Sequence, residues 1–98
     1  MRVKISYTVE IEQVEEEVSE IMSRASTDLD EAYHSIVSTQ NSLATKTGDI
    51  DEHIEAIDLA RKRMMRADQT LEDCASILQG YKIAKNTIEE QKNAIKGG

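Results

Sequence analysis

Two histidines, one cysteine and one run of cations are the residues of this chain whose chemistry could serve a site. His53 stands beside Asp49, Asp51 and Glu52, a grouping that suggests metal ligation. On a helix, however, Asp49 and His53 share a face while Asp51 and Glu52 point elsewhere. The second histidine, His34, is not at a ligand spacing from it, and the acids are accounted for as charges at a helix start. His53 therefore reads as a solvated or seam-edge residue. Cys74 falls on a heptad row between Ala67 and Tyr81, which makes it a small buried packing residue. Catalytic use would need a basic partner and an exposed thiolate, and neither is visible. A single cysteine leaves no intramolecular disulfide framework and no thiolate zinc cluster.

Arg61, Lys62, Arg63 and Arg66 form the one basic cluster. It could meet a phosphate backbone, but the net charge of -7 opposes polyanions and no aromatic stacking residue accompanies it. Asp28, Asp30 and Glu31 offer the cluster an internal task instead. There is no glycine-rich phosphate loop and no supported Ser/His/Asp grouping, so no catalytic, metal-binding or cofactor-binding residue is expected. The chain reads as a non-enzyme.

The elements that carry these residues follow two periods. Val3, Ile5, Tyr7, Val9 and Ile11 alternate strictly with polar residues, which predicts a β-strand over 1–11. An unpaired arm lying on a helix is the alternative. From Glu12 the spacing becomes helical: Val14, Val18, Ile21, Ala25, Leu29, Ala32, Ile36 and Leu43 step by three or four until a gap near Thr39. Acidic residues crowd this entry, where the helix dipole favours them. Lys46-Thr47-Gly48 supplies a cation and a glycine for a left-handed cap, and Asp49 with Glu52 an acidic capping box. The spacing thus predicts helices over 12–47 and 49–96. In the second, Ile50, Ile57, Met64, Leu71 and Leu78 form the seam, with Ala60, Ala67, Cys74, Tyr81, Ile88 and Ile95 as companion row. A break between 80 and 87, at Gly80, is the alternative to one continuous helix.

Folding back at Gly48 makes an antiparallel hairpin. Arg24 with Asp73, Glu31 with Arg66, Glu15 with Lys82, Glu12 with Lys85 and Lys46 with Asp51 have numbers summing to 97, and the apolar pairs Val18–Leu78, Ala25–Leu71 and Ala32–Met64 sum to 96. The fold class is therefore mainly α: one 98-residue domain with an N-terminal strand and a long coiled-coil-like hairpin. A lone strand has two open edges, so its mate must come from another copy, and an antiparallel pair about a two-fold is the simplest route. Met22, Leu29, Tyr33 and Val37, with Met65, Ile77 and Ile83, form apolar stripes beyond a two-helix seam. The expected oligomer interface is Val3, Ile5, Tyr7, Val9, Ile11, Met22, Tyr33, Val37 and Ile77, giving a homodimer or higher assembly with a four-helix bundle. A strand folded back on its own helices is the monomeric alternative.

No apolar run approaches the roughly 20 residues of a membrane span and no signal peptide is read, so a cytoplasmic location is expected. The aromatic share of 3%, all Tyr, limits the core a chain this short can build. The segments Val3-Lys-Ile-Ser-Tyr-Thr-Val-Glu-Ile11, Val14-Glu-Glu-Glu-Val18 and Leu71-Glu-Asp-Cys-Ala-Ser-Ile-Leu-Gln-Gly-Tyr81 resemble small uncharacterised proteins of marine tailed bacteriophages, including those of cyanobacteria. The resemblance covers both ends and leaves 30–60 without support. It implies a viral or marine microbial origin, hence a host cytoplasm, and carries over no catalytic residue. Prefoldin-type chaperones are similar in architecture alone, because their strands lie between the helices. The expected function is a non-enzymatic, oligomeric interaction or assembly module, with itself and another protein as partners. A nucleic-acid accessory role through Arg61, Lys62, Arg63 and Arg66 is the alternative.

Overall fold

The computed structural model describes residues 11–97, and the side chains of residues 11–88. A short 3-10 turn, Ile11–Gln13, leads into α1 (Val14–Ala44), and a tight connection leads into α2 (Ile50–Gly97). The two helices pack antiparallel as one extended hairpin. Val3, Ile5, Tyr7 and Val9, and with them the strand and its pairing, lie outside the described residues. Ile11, assigned to the strand by its alternation, instead opens the 3-10 turn, a common lead-in to an α-helix.

Glu15, Glu16 and Glu17 fill the first turn of α1, where unpaired N–H groups favour negative charge. Its end is set by hydrogen bonds that close its last carbonyls. Thr45 N–H donates to Asn41 O (3.1 Å), Lys46 N–H to Leu43 O (3.2 Å) and Thr47 N–H to Ser42 O (2.9 Å). The last two make a Schellman motif. The left-handed cap is Lys46, with φ 57°, rather than Gly48 as the sequence suggests. Gly48 has φ 86° but serves a second purpose: it leaves room for His53. Asp49 opens α2 by accepting the His53 N–H at 3.1 Å, and no side-chain capping box forms there among the described residues.

α2 runs unbroken through Gly80, because a helical glycine costs only about 1 kcal/mol. The longest dimension, 75 Å, is close to the length of α2 alone, about 72 Å at 1.5 Å per residue. The radius of gyration of 20.9 Å far exceeds the roughly 13 Å of a compact chain this size. This is a rod two helices wide, with no second layer in the described residues. α2 outruns α1, so residues beyond about Tyr81 project past the hairpin.

Small residues fill the seam. Val18, Ala25, Ala32 and Thr39 on α1, and His53, Ala60, Ala67 and Cys74 on α2, are buried at seven-residue spacing. Taken as Val18–Cys74, Ala25–Ala67, Ala32–Ala60 and Thr39–His53, the facing numbers all sum to 92. Two side chains reach the opposite backbone: Cys74 Sγ lies 4.0 Å from Val18 O and Ser35 Oγ 3.5 Å from Ala56 O. Both contacts require closely spaced helices, which alanine permits. The sequence-derived registers of 96 and 97 are therefore displaced by about one helical turn. The companion row forms the seam, and the large heptad row flanks it. The partnerships read as Glu31–Arg66 and Arg24–Asp73 give way to Asp28–Arg66 and Glu31–Arg63.

Candidate functional site

Building outward from the seam gives two unlike faces. One is polar. Arg66 grips Asp28 with two bonds, Nε to Oδ2 at 3.0 Å and Nη2 to Oδ1 at 2.6 Å. Arg63 Nε lies 3.3 Å from Glu31 Oε1. Ser35 and Thr70 share this side with them. The Arg66 guanidinium, by hydrogen bond first and by charge as well, holds the Asp28 carboxyl below the usual carboxylate range, and Asp28 in turn raises Arg66. Arg61 and Lys62 both point at Asp58, at 3.7 and 3.2 Å. All four cations of the basic cluster thus have a carboxylate within the hairpin.

The opposite face is apolar. Met22, Leu29, Ile36 and Leu43 lie four residues after the seam row of α1. Ile50, Ile57, Met64, Leu71 and Leu78 hold the equivalent place on α2. In antiparallel helices, equal offsets from the seam fall on the same side. Two grooves bear this out: Ile36, Leu43 and Ile57 line one, and Met22, Val18 and Leu78 another. The facing numbers Met22–Leu71, Leu29–Met64, Ile36–Ile57 and Leu43–Ile50 all sum to 93, so the face is layered. Every one of these nine side chains is 38–62% exposed. Their uncovered surface amounts to about 800 Å², the share one partner contributes to a standard protein–protein interface.

The residues singled out from sequence are distributed unevenly about this face. Met22 belongs to it, and exposed Tyr33 borders it, its ring edge-on to His34 with centroids 5.7 Å apart. Val37 and Ile77 are half-buried off the row, and Ile11 is half-buried in the 3-10 turn. Met65 and Ile83 are exposed elsewhere on α2. Periodicity alone puts Leu29 in the outer stripe, but it puts Ile50, Ile57, Met64, Leu71 and Leu78 in the seam. It marks Ile36 and Leu43 as helical without giving them a face. The seven-residue spacing from Met22 to Leu43 is the signal that places all four α1 residues together.

His53 is buried in the seam, not solvated, and Nε2 lies 2.9 Å from Thr47 O. It thereby ties the connection to the first turn of α2. His34 is exposed and its Nδ1 lies 2.8 Å from Asp30 O. Cys74 is buried, and burial first, with Asp73 second, pushes its thiol pKa up. Among the described residues no three His, Cys, Asp or Glu side chains gather as a metal site, and no helix is long and apolar enough to cross a membrane. Comparison with known proteins brings no family model, curated protein or solved structure that matches the chain.

Proposed function

We propose that this chain is a non-catalytic interaction and assembly module that works by self-association of its hairpin. One observation carries the reading: nine large apolar side chains at heptad spacing share one face and stay 38–62% exposed, while alanines occupy the seam. A lone soluble chain rarely leaves a contiguous apolar patch beyond a few hundred Å². A two-helix rod with alanines in its seam also buries few methylenes by itself, and each contributes only about 0.8 kcal/mol. Association supplies the missing layer and yields a four-helix bundle. The alternation of Val3, Ile5, Tyr7 and Val9 with polar residues supports a further contact, strand pairing between copies.

Holding or organising another protein in a host cytoplasm extends this reading; the resemblance of both end segments to small uncharacterised proteins of marine tailed bacteriophages suggests the host setting and carries over no activity. The nucleic-acid alternative is weakened by the geometry, because Arg66 and Arg63 pair with Asp28 and Glu31 across the hairpin, leaving Arg61 and Lys62, which share the one carboxylate of Asp58, as the exposed remainder of the cluster. The test is sizing by multi-angle light scattering of the wild type and of an Ile36→Lys/Ile57→Lys variant. The wild type runs as a dimer or larger, and the variant moves to the monomer while keeping its helical circular dichroism. A wild type that stays monomeric at high concentration overturns the proposal.

A further inference from the structure

Granting that the hairpins associate through the apolar face, we infer that the second copy docks parallel, with both connections at the same end and the two-fold running along the bundle. α1 of each copy then lies against α2 of the other. The apolar layers of the two copies meet level by level, each holding two residues from either chain, such as Ile36 and Ile57 with their mates. All four layers are wholly apolar.

Flanking residues decide the orientation. On each helix the row one residue after the seam points straight at the neighbouring copy. In the parallel arrangement the register of the layers brings Tyr33 to Arg61 of the partner subunit, a cation over an aromatic face, and sets Glu12, in the 3-10 turn ahead of α1, level with Lys82 of the partner subunit for an ion pair. Ser26 meets Asp68 of the partner subunit, so this flanking row sets no like charges together; Glu15, level with Leu78, is the one charge in line with the apolar row and lies at the open end, beyond the four layers. The symmetry repeats each contact. Both Glu12 and Lys82 are exposed, as are Tyr33 and Arg61.

Each antiparallel alternative loses on one of two counts, the flanking charges or the number of apolar layers. Reversing one copy while keeping four complete layers sets Arg61 against Arg61 of the partner subunit. Sliding the reversed copy by one layer exchanges that clash for Arg61 against Asp68 of the partner subunit, but it places Glu15 beside Leu43 of the partner subunit and keeps three wholly apolar layers in place of four, so the parallel form retains the larger apolar contact. The area also suits a second copy, since about 800 Å² from each side makes a standard interface of about 1,600 Å².

Electron spin labels at the connection read the orientation directly. Lys46 is exposed and its side chain makes no hydrogen bond or ion pair among the described residues, so Lys46→Cys in a Cys74→Ala background takes the label at little cost. Parallel docking gives a label–label distance under about 30 Å, while either antiparallel form gives about 40–50 Å along the rod at 1.5 Å per residue. A short distance supports the inference. A long one overturns it but leaves association standing, whereas absence of any intermolecular distance, with a monomeric mass, overturns association itself. Charge reversal provides a second arm. Glu12→Lys weakens dimerisation by about five-fold, as expected for exposed pairs, and adding Lys82→Glu restores it. A double variant as weak as the single one would also contradict the parallel register.

Discussion

Two glycine-to-alanine substitutions should move stability in opposite directions. At Gly48, with φ 86°, a Cβ would stand 2.8 Å from His53 Cε1 and 3.1 Å from Nε2. The left-handed backbone costs an alanine about 1–2 kcal/mol. The imidazole must also give way, and its bond to Thr47 O, 2.9 Å long, is worth about 0.5–1.5 kcal/mol. Gly48→Ala should therefore destabilise by about 2–3 kcal/mol. Gly80 lies inside α2, and a methyl group added there would meet nothing within 4 Å. Gly80→Ala should accordingly stabilise by about 0.5–1 kcal/mol through helix propensity. Urea unfolding followed by circular dichroism, at one fixed protein concentration, measures both. His53→Ala separates the two costs at Gly48: with the ring gone, only the backbone strain should remain, giving a coupling energy of about 1 kcal/mol. A Gly48→Ala loss below about 0.5 kcal/mol, or no coupling to His53, would refute the keystone role given to this pair.

Other consequences follow from the seam and the polar face. Ala32→Leu forces a large side chain between closely spaced helices and should cost about 1–3 kcal/mol, read from the urea midpoint; an unchanged midpoint would mean that the helices are not in tight contact there. The Asp28 carboxyl is held low by Arg66, so its contribution to stability is present above the ordinary carboxylate pKa and is lost as pH falls through the depressed folded value. The stability gap between wild type and Asp28→Asn should accordingly close on acidification below about pH 4, and a gap that persists in acid would contradict the pairing. Cys74, buried and with a raised pKa, should react with a thiol reagent far more slowly in the native protein than in denaturant; equal rates would place it outside the seam.

The hairpin itself is legible because its cause is periodic. Rows at seven-residue spacing on both sides of Lys46-Thr47-Gly48 specify two helices and a reversal. Which row faces inward is not legible from period alone. Large residues Ile50, Ile57, Met64 and Leu71 look like the seam, yet two helices approach most closely where side chains are smallest, so Ala60, Ala67 and Cys74 take that place and push the large row to the flank. The charges cannot correct this, since Arg66 has acids at both 28 and 31, one turn apart. Both choices look equally good in a list of residues, and the bidentate grip on Asp28 decides between them. His53 escapes for a similar reason: its burial depends on the space above it at Gly48, which spacing does not encode. The apolar surplus on α1 is visible at Met22 and Leu29 and continues at sevens to Ile36 and Leu43, but that this row shares a face with Ile57 and Met64 emerges only with the register.

The most direct measurement uses the native cysteine as a ruler. Val18→Cys places a second thiol opposite Cys74, whereas Met22→Cys places one where the register of 96 would have put it. Under mild oxidation Val18→Cys should close an intrachain disulfide with Cys74, because that bond requires Cα atoms within about 7 Å, and Met22→Cys should not. Cross-linking of Met22→Cys in preference to Val18→Cys would contradict the small-residue seam, and with it the exposed apolar face on which association rests.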